Sequence, residues 1–311
     1  MSLLFNKRLI LLKLGAGSYP DDPLPAAATD ALLVRDLAFE PFQGATETLD
    51  YIFFNDTATT EIYTGPHGRV TFTVDLSGSG TAGTAPAWGS AMRMCGFAET
   101  VAALTSVEYA PVSSGFEWGA IYFNIDGELH KLQGCRGTVT ANFNKEASPS
   151  LDFEFWGLWD QTPTAVAAGT PDFDAFIDPI PVNAANTPTL TVDSFATLAE
   201  SLVFNAGQQV EYRNVIGSES VLITDRDASG SMTIEKTVLA DKDFYAVTRS
   251  NAIVPINLVH GTVAGNIIEV DARAQLKMQA DTDSQGVAVT PFNLRLIPTD
   301  AGGDELVITV R

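Results

Sequence analysis

A mainly β fold is predicted, built from two similar antiparallel β-barrel or sandwich domains with one short helix each. Three observations carry it: short apolar segments that alternate with period two, two brief stretches of helical spacing, and a common order of elements in both halves. The alternation is plain in Arg69–Leu76, Leu151–Phe155, Ser231–Glu235, Phe292–Leu296 and Glu305–Val310. There, apolar side chains fall on one face and Thr, Asp, Glu or Arg on the other. Strands of that kind belong to antiparallel sheets with one solvated face.

Taken in chain order, the first candidate element follows the basic pair Lys7-Arg8. The apolar run Leu9–Leu12 is broken by Lys13 after four residues, shorter than a secretory signal core, so a strand or ordered arm is expected. Helical spacing appears in Ala85–Gly96, with Pro86 suited to a first turn, Gly96 to a terminus, and Trp88, Met92 and Cys95 on one face. It appears again in Ala240–Ser250. Such short helices are expected to plug one open end or side of a barrel.

The Pro, Ala and Thr content between Asp160 and Leu190 marks a boundary, because repeated prolines block ladder hydrogen bonds and favour an extended chain. The division is a first domain over 1–160, a linker over 161–190 and a second domain over 191–311. In the first domain, strand Val70–Leu76 leads to the Trp88 helix, then strands Ala120–Ile125, Leu129–Leu132, Thr138–Phe143 and Leu151–Leu158. In the second, Ser231–Glu235 leads to the Phe244 helix, then Pro255–Val259, Ile267–Ala272, Ala274–Gln279 and Val287–Ile297. The shared order implies a duplicated barrel.

Composition narrows the function. The 311 residues carry 38 acidic against 18 basic side chains, a formal charge of −20. A surface so negative argues against gripping nucleic acid, which needs Lys and Arg to displace phosphate counterions. No stretch is long and apolar enough to span a bilayer as a helix, so no membrane partner is expected. The two cysteines, Cys95 and Cys135, lie far apart and fit buried free thiols rather than a disulfide framework or a zinc site.

One segment breaks the local logic. The ten residues Asn55–Thr64 read as an in-frame translation of a widely used sequencing-adapter oligonucleotide. About residues 52–64 are therefore treated as foreign to the natural chain, and the Asn55-Asp-Thr57 sequon carries no meaning.

Motifs that could carry chemistry are few. Gly78-Ser-Gly-Thr-Ala-Gly83 matches G-x-G-x-x-G between a strand and a helix, but the strand alternates polar and apolar residues where a dinucleotide fold buries both faces. A flexible loop is expected. Asp225–Gly230 and Asp281–Gly286 imitate the front of a calcium loop, yet Lys236 and Phe292 stand where the bidentate Glu belongs, so hairpin turns are expected. His67, His130 and His260 lack metal spacing, and no G-x-S-x-G elbow exists. No catalytic residue, cofactor or metal site is assigned, and no enzymatic role is expected. Asp152 and Glu154 share the polar face of a strand, where carboxylates form a solvated face or line a passage that repels a polyanion.

Several segments together resemble the tail tube proteins of long-tailed bacteriophages with two-domain subunits. They are Val74–Gly89, Met94–Phe97, Val107–Val112, Leu132–Gly137, Pro181–Asn183, Leu222–Arg226 and Val259–Thr262. The resemblance implies two similar β-barrels per subunit and rings of pseudo-sixfold symmetry, from three duplicated subunits or six single ones, stacked into a hollow tube; the duplication favours three, and without a sheath-contact signal a noncontractile tail is expected. It also implies tail proteins at the tube ends, DNA crossing an acidic lumen without specific binding, no cofactor, and a place in the virion after assembly in the host cytoplasm. Asp152 and Glu154 are then candidates for the lumen. Leu12, Leu14, Gly78, Gly80, Gly83, Pro179 and Pro181 are candidates for contacts between subunits or rings, as are the Gly44–Gly68 loop and the linker. The rival reading is a β-sandwich surface adhesin or capsid-decoration protein.

Overall fold

The computed structural model describes residues 3–55, 57–160 and 162–311. Half of the chain lies in strands and little in helices, with large antiparallel sheets, so the mainly β class holds. The first half contains β1 (Arg8–Leu14), α1 (Ala27–Asp30), β2 (Ala31–Leu32), β3 (Arg35–Gln43), β4 (Thr46–Thr48) and β5 (Glu61–Tyr63). It continues with β6 (His67–Asp75), α2 (Gly89–Met94), β7 (Phe97–Ala102), β8 (Ser106–Pro111), β9 (Gly119–Ile125), β10 (Glu128–Asn144), β11 (Ser150–Trp159) and β12 (Thr164–Ala165). The second contains β13 (Thr189–Val192), β14 (Phe195–Ala196), β15 (Ala199–Asn205), β16 (Gln208–Val215), β17 (Ser218–Arg226) and β18 (Ser229–Glu235). It ends with α3 (Phe244–Ser250), β19 (Ile253–His260), β20 (Ile268–Met278), β21 (Thr282–Ser284), β22 (Val287–Leu296) and β23 (Leu306–Val310).

Strand pairing follows one order in both halves. In the first, neighbours run β2-β1-β9-β10-β11-β6-β3. In the second they run β14-β13-β19-β20-β22-β18-β15. Burial keeps the same phase: Leu12 opposite Ile121 corresponds to Val192 opposite Ile256, all four in the core. Phe72 opposite Phe153 corresponds to Met232 opposite Phe292. The second half inserts the β16–β17 hairpin between β15 and β18; at the equivalent point the first half carries β4–β5, whose second strand falls within the segment set aside as foreign.

Two sequence expectations about strand ends are corrected, one of them through a bulge. Leu129–Leu132 and Thr138–Phe143 are not separate strands but parts of β10, whose pairing shifts between Gln133 and Arg136, where Gly134 takes a positive φ of 57°. A bulge of this kind bends a strand without ending it. Ile267–Ala272 and Ala274–Gln279 also form one strand, β20, which runs through Arg273 without a shift in register. The helices are shorter than expected. Pro86 precedes α2, its carbonyl accepting from Gly89 N–H, and the helix ends before Gly96 at φ 76°. α3 starts where the Asp243 carboxylate accepts from the Ala246 amide at 2.9 Å, an N-cap that leaves Ala240–Lys242 outside the helix.

Trp88, Met92 and Cys95 all fall in one apolar core that runs through both halves. The two cysteines are free and buried. The 161–190 segment has few ladder bonds, as its prolines require, yet it is fastened to both halves. Val182 exchanges backbone bonds with Glu146 and Ala147, and the buried His260 ring bonds the Ile180 carbonyl at 3.1 Å and Thr187 at 2.9 Å. No helix among the described residues is long and apolar enough to cross a membrane.

Candidate functional site: a polar sheet face and two strand edges

The two halves join edge to edge. One side of β10 pairs with β9 up to Cys135 and then, from Thr140 to Asn144, with β15 of the second half. The result is one sheet of eight strands, β3-β6-β11-β10-β15-β18-β22-β20, four from each half. Directly opposed residues share a face, so a row can be read straight across it: Arg35, Thr73, Asp152, Thr140, Asn205, Ser229, Arg295, Gln275. The neighbouring row on the other face is Val74, Leu151, Ala141, Phe204, Gly230, Leu294 and Leu276, whose apolar members lie in the core.

Hydroxyls and amides therefore dominate the solvated face, with Asp152 and Glu154 among them. The Asp152 carboxylate accepts from Thr73 Oγ1 and Asn142 Nδ2, both at 2.7 Å. Glu154 is instead paired with Arg69 at 2.5 Å, and Glu40 approaches the same guanidinium at 3.3 Å. The hydrogen bond that Arg69 donates to Glu154 raises the Arg69 pKa above its ordinary value, so that cation is held by carboxylates of its own chain. Arg35 pairs with Asp75 at 2.5 Å and Arg295 with Asp227 at 3.5 Å. Arg69 and Arg35 are thus held by acids of the chain, whereas the Arg295 pair is largely exposed and Lys277, on the same face, is an exposed cation.

The other sequence candidates lie elsewhere. Leu12 is 3% exposed in the core, and Leu14 is half-buried and packs against it; β1 is buried on both faces from Leu9 to Leu12. The Gly78–Gly83 loop meets the second half of its own chain. Gly78 N–H donates to Asn266 Oδ1 at 2.7 Å and Gly80 N–H to the Gly265 carbonyl at 3.0 Å. A Cβ at Gly78 would overlap that carbonyl, which explains the glycine. Two amides of this loop are therefore used within the chain. Pro179 is half-buried and Pro181 exposed, with the Pro181 carbonyl accepting from Asn186 Nδ2 at 2.9 Å.

The β16–β17 hairpin lies over the first half. His67 stacks on Tyr212 with ring centroids 4.0 Å apart, Arg136 donates to the Val221 carbonyl at 2.5 Å, and the Val221 amide donates to Tyr19 Oη at 2.7 Å. Burial is the largest influence on Arg136, lowering its pKa from the ordinary value. At the base of this arm a cleft of about 630 Å³ is crossed by Arg226–Glu305, an ion pair at 2.5 Å with Glu305 3% exposed. Residue spacing gave no sign of that pair, because its members are brought together by the fold. The first-half hairpin is different: Ile52 and Phe54 are fully exposed, and no described residue of 52–64 belongs to the core. Among the described residues, no cluster of three or more His, Cys, Asp or Glu side chains is placed to hold a metal ion.

No protein-family model matches the chain, and no curated protein matches it in sequence.

Proposed function

We propose that the chain is a self-assembling structural subunit of the tail-tube type, forming rings that stack into a hollow tube through which DNA passes. The observation that carries this reading is the eight-stranded sheet made of two equivalent four-stranded halves, with β10–β15 as the seam between them. A unit that adds to its own equivalent edge to edge is suited to head-to-tail assembly, which closes into a ring when the rotation allows. Three subunits would supply six repeats to such a ring. The shared order of pairing also favours descent of both halves from one ancestral barrel.

The polar face gives the chemistry of the passage. A wall of hydroxyls, amides and carboxylates, with Arg35 and Arg69 paired with acids, offers phosphates few cations to hold and lets DNA slide. The protein then works without catalysis, cofactor or membrane, as part of the virion, with other tail proteins at the tube ends. The test is sedimentation and negative-stain microscopy of concentrated protein, with DNA retention measured beside it at physiological salt. Rings or tubes with negligible DNA retention are expected. A monomer at every concentration would contradict the reading and favour an adhesin or decoration protein; tight, salt-sensitive DNA binding would contradict the passage.

A further inference from the structure

The two halves differ at one place that the internal repeat makes informative. On β10, the side that leaves β9 at Cys135 is taken up by β15 from Thr140 onward. On β20, the equivalent side leaves β19 at Gln275, and beyond it no strand of the chain pairs among the described residues. Conversely, β15 is paired on both sides, with β18 and β10, whereas its counterpart β3 is paired with β6 alone. The chain thus ends its eight-stranded sheet on two open edges. Those edges are the counterparts of the two that already meet inside it.

We infer that β3 of one copy pairs, antiparallel, with Gln279–Asp283 of a second copy, repeating the β10–β15 seam between molecules. The inference rests on the tube reading and names the surfaces that reading uses. The register follows from residue equivalence. Ala38, Phe39 and Glu40 stand opposite Thr71, Val70 and Arg69, as Val203, Phe204 and Asn205 stand opposite Ser231, Gly230 and Ser229. Matching Phe72–Phe153 to Met232–Phe292 then equates Thr140 with Gln279 and Ala141 with Ala280. Since Thr140 faces Asn205 and Ala141 faces Phe204, Glu40 of one copy is placed opposite Gln279 of the next, and Phe39 opposite Ala280.

Side chains at both edges suit a covered surface. Near the β20 edge, Val238, Leu239 and Val287 are 66%, 62% and 47% exposed, and on the β3 side Leu33 and Phe42 are 51% and 53% exposed. Val238 and Leu239 follow β18 as the Gly78 loop follows β6, and that loop is covered by the second half of its own chain. Exposed apolar groups beside an unpaired strand edge are what a partner edge removes from water.

The test is a full-length chain carrying Glu40→Cys and Gln279→Cys, oxidised at assembling concentration and run without reductant. The native Cys95 and Cys135 are buried and do not compete. A ladder of covalent dimers and higher multiples is expected, with single variants and the Glu40→Cys/Glu269→Cys control giving less than a tenth of it. Assemblies that form by microscopy but yield no ladder would overturn this pairing and leave the tube reading standing. Dimers from either single variant would show a two-fold contact and also overturn it. A chain that never assembles overturns both.

Discussion

β3 and β15 occupy the same place in the two halves, and the contrast between them is instructive. Phe204 of β15 is fully buried because β10 continues the sheet beyond it, whereas Phe39, its counterpart, is half-buried on a strand with one free side. The same local pattern therefore has two stabilities, decided by whether a neighbour completes the sheet. An edge strand left open in this way is a liability unless a partner covers it.

The largest expected effect breaks the covered side of that comparison. Phe204→Ala should cost about 3–5 kcal/mol in denaturant unfolding, the usual loss for a fully buried Phe. Phe39→Ala should cost the monomer roughly 1–2 kcal/mol, in keeping with its partial burial, and impair assembly more than folding. Equal losses at the two positions would remove the distinction. Of similar size is Arg226→Ala, which strands the buried Glu305 carboxylate at the base of the β16–β17 arm and should cost about 3–5 kcal/mol. The more exposed pair Arg295–Asp227 should give no measurable change when Arg295 is replaced.

A smaller effect concerns pH. Burial lowers the His260 pKa from its ordinary 6.5, so the folded state prefers the neutral ring that ties Ile180 and Thr187 to the second half. The contribution is complete above the unfolded-state pKa and is lost as pH falls from about 6.5 through the lower folded value. Melting temperature should drop over that range, with faster proteolysis within 162–188, and His260→Asn should flatten the dependence. His130, also lowered chiefly by burial, adds in the same direction from the first half. The smallest effect is Tyr212→Ala. Losing the stack on His67 should cost about 0.5–1.5 kcal/mol and speed cleavage of the β16–β17 arm without unfolding the barrels.

Much of this architecture was legible in the residues. Strands that alternate cleanly, such as β6, β11, β18 and β22, were found because one face of each is core and the other solvent. β3 was missed because a bulge at Asp36, with φ 51°, and Pro41 interrupt its period. β16 was missed because most of its residues are exposed or half-buried and no apolar row marks it. The seam itself could not be read: Thr140–Asn144 and Ser201–Asn205 carry no signal for each other, and their pairing comes from the fold. Asp152 lies on the solvated face, as its alternation required, while the capture of Glu154 by Arg69 depends on a strand distant in sequence.

Edge-to-edge assembly is read most directly from a cryo-electron microscopy map of the assembled protein, resolved well enough to trace strands. The expected map shows a continuous inner sheet with six repeats per ring, β3 beside Gln279–Asp283 of the adjoining subunit, and the row through Asp152 and Thr140 facing the bore. A map in which β3 stays unpaired, or in which that polar row lies on the outer wall, would contradict it.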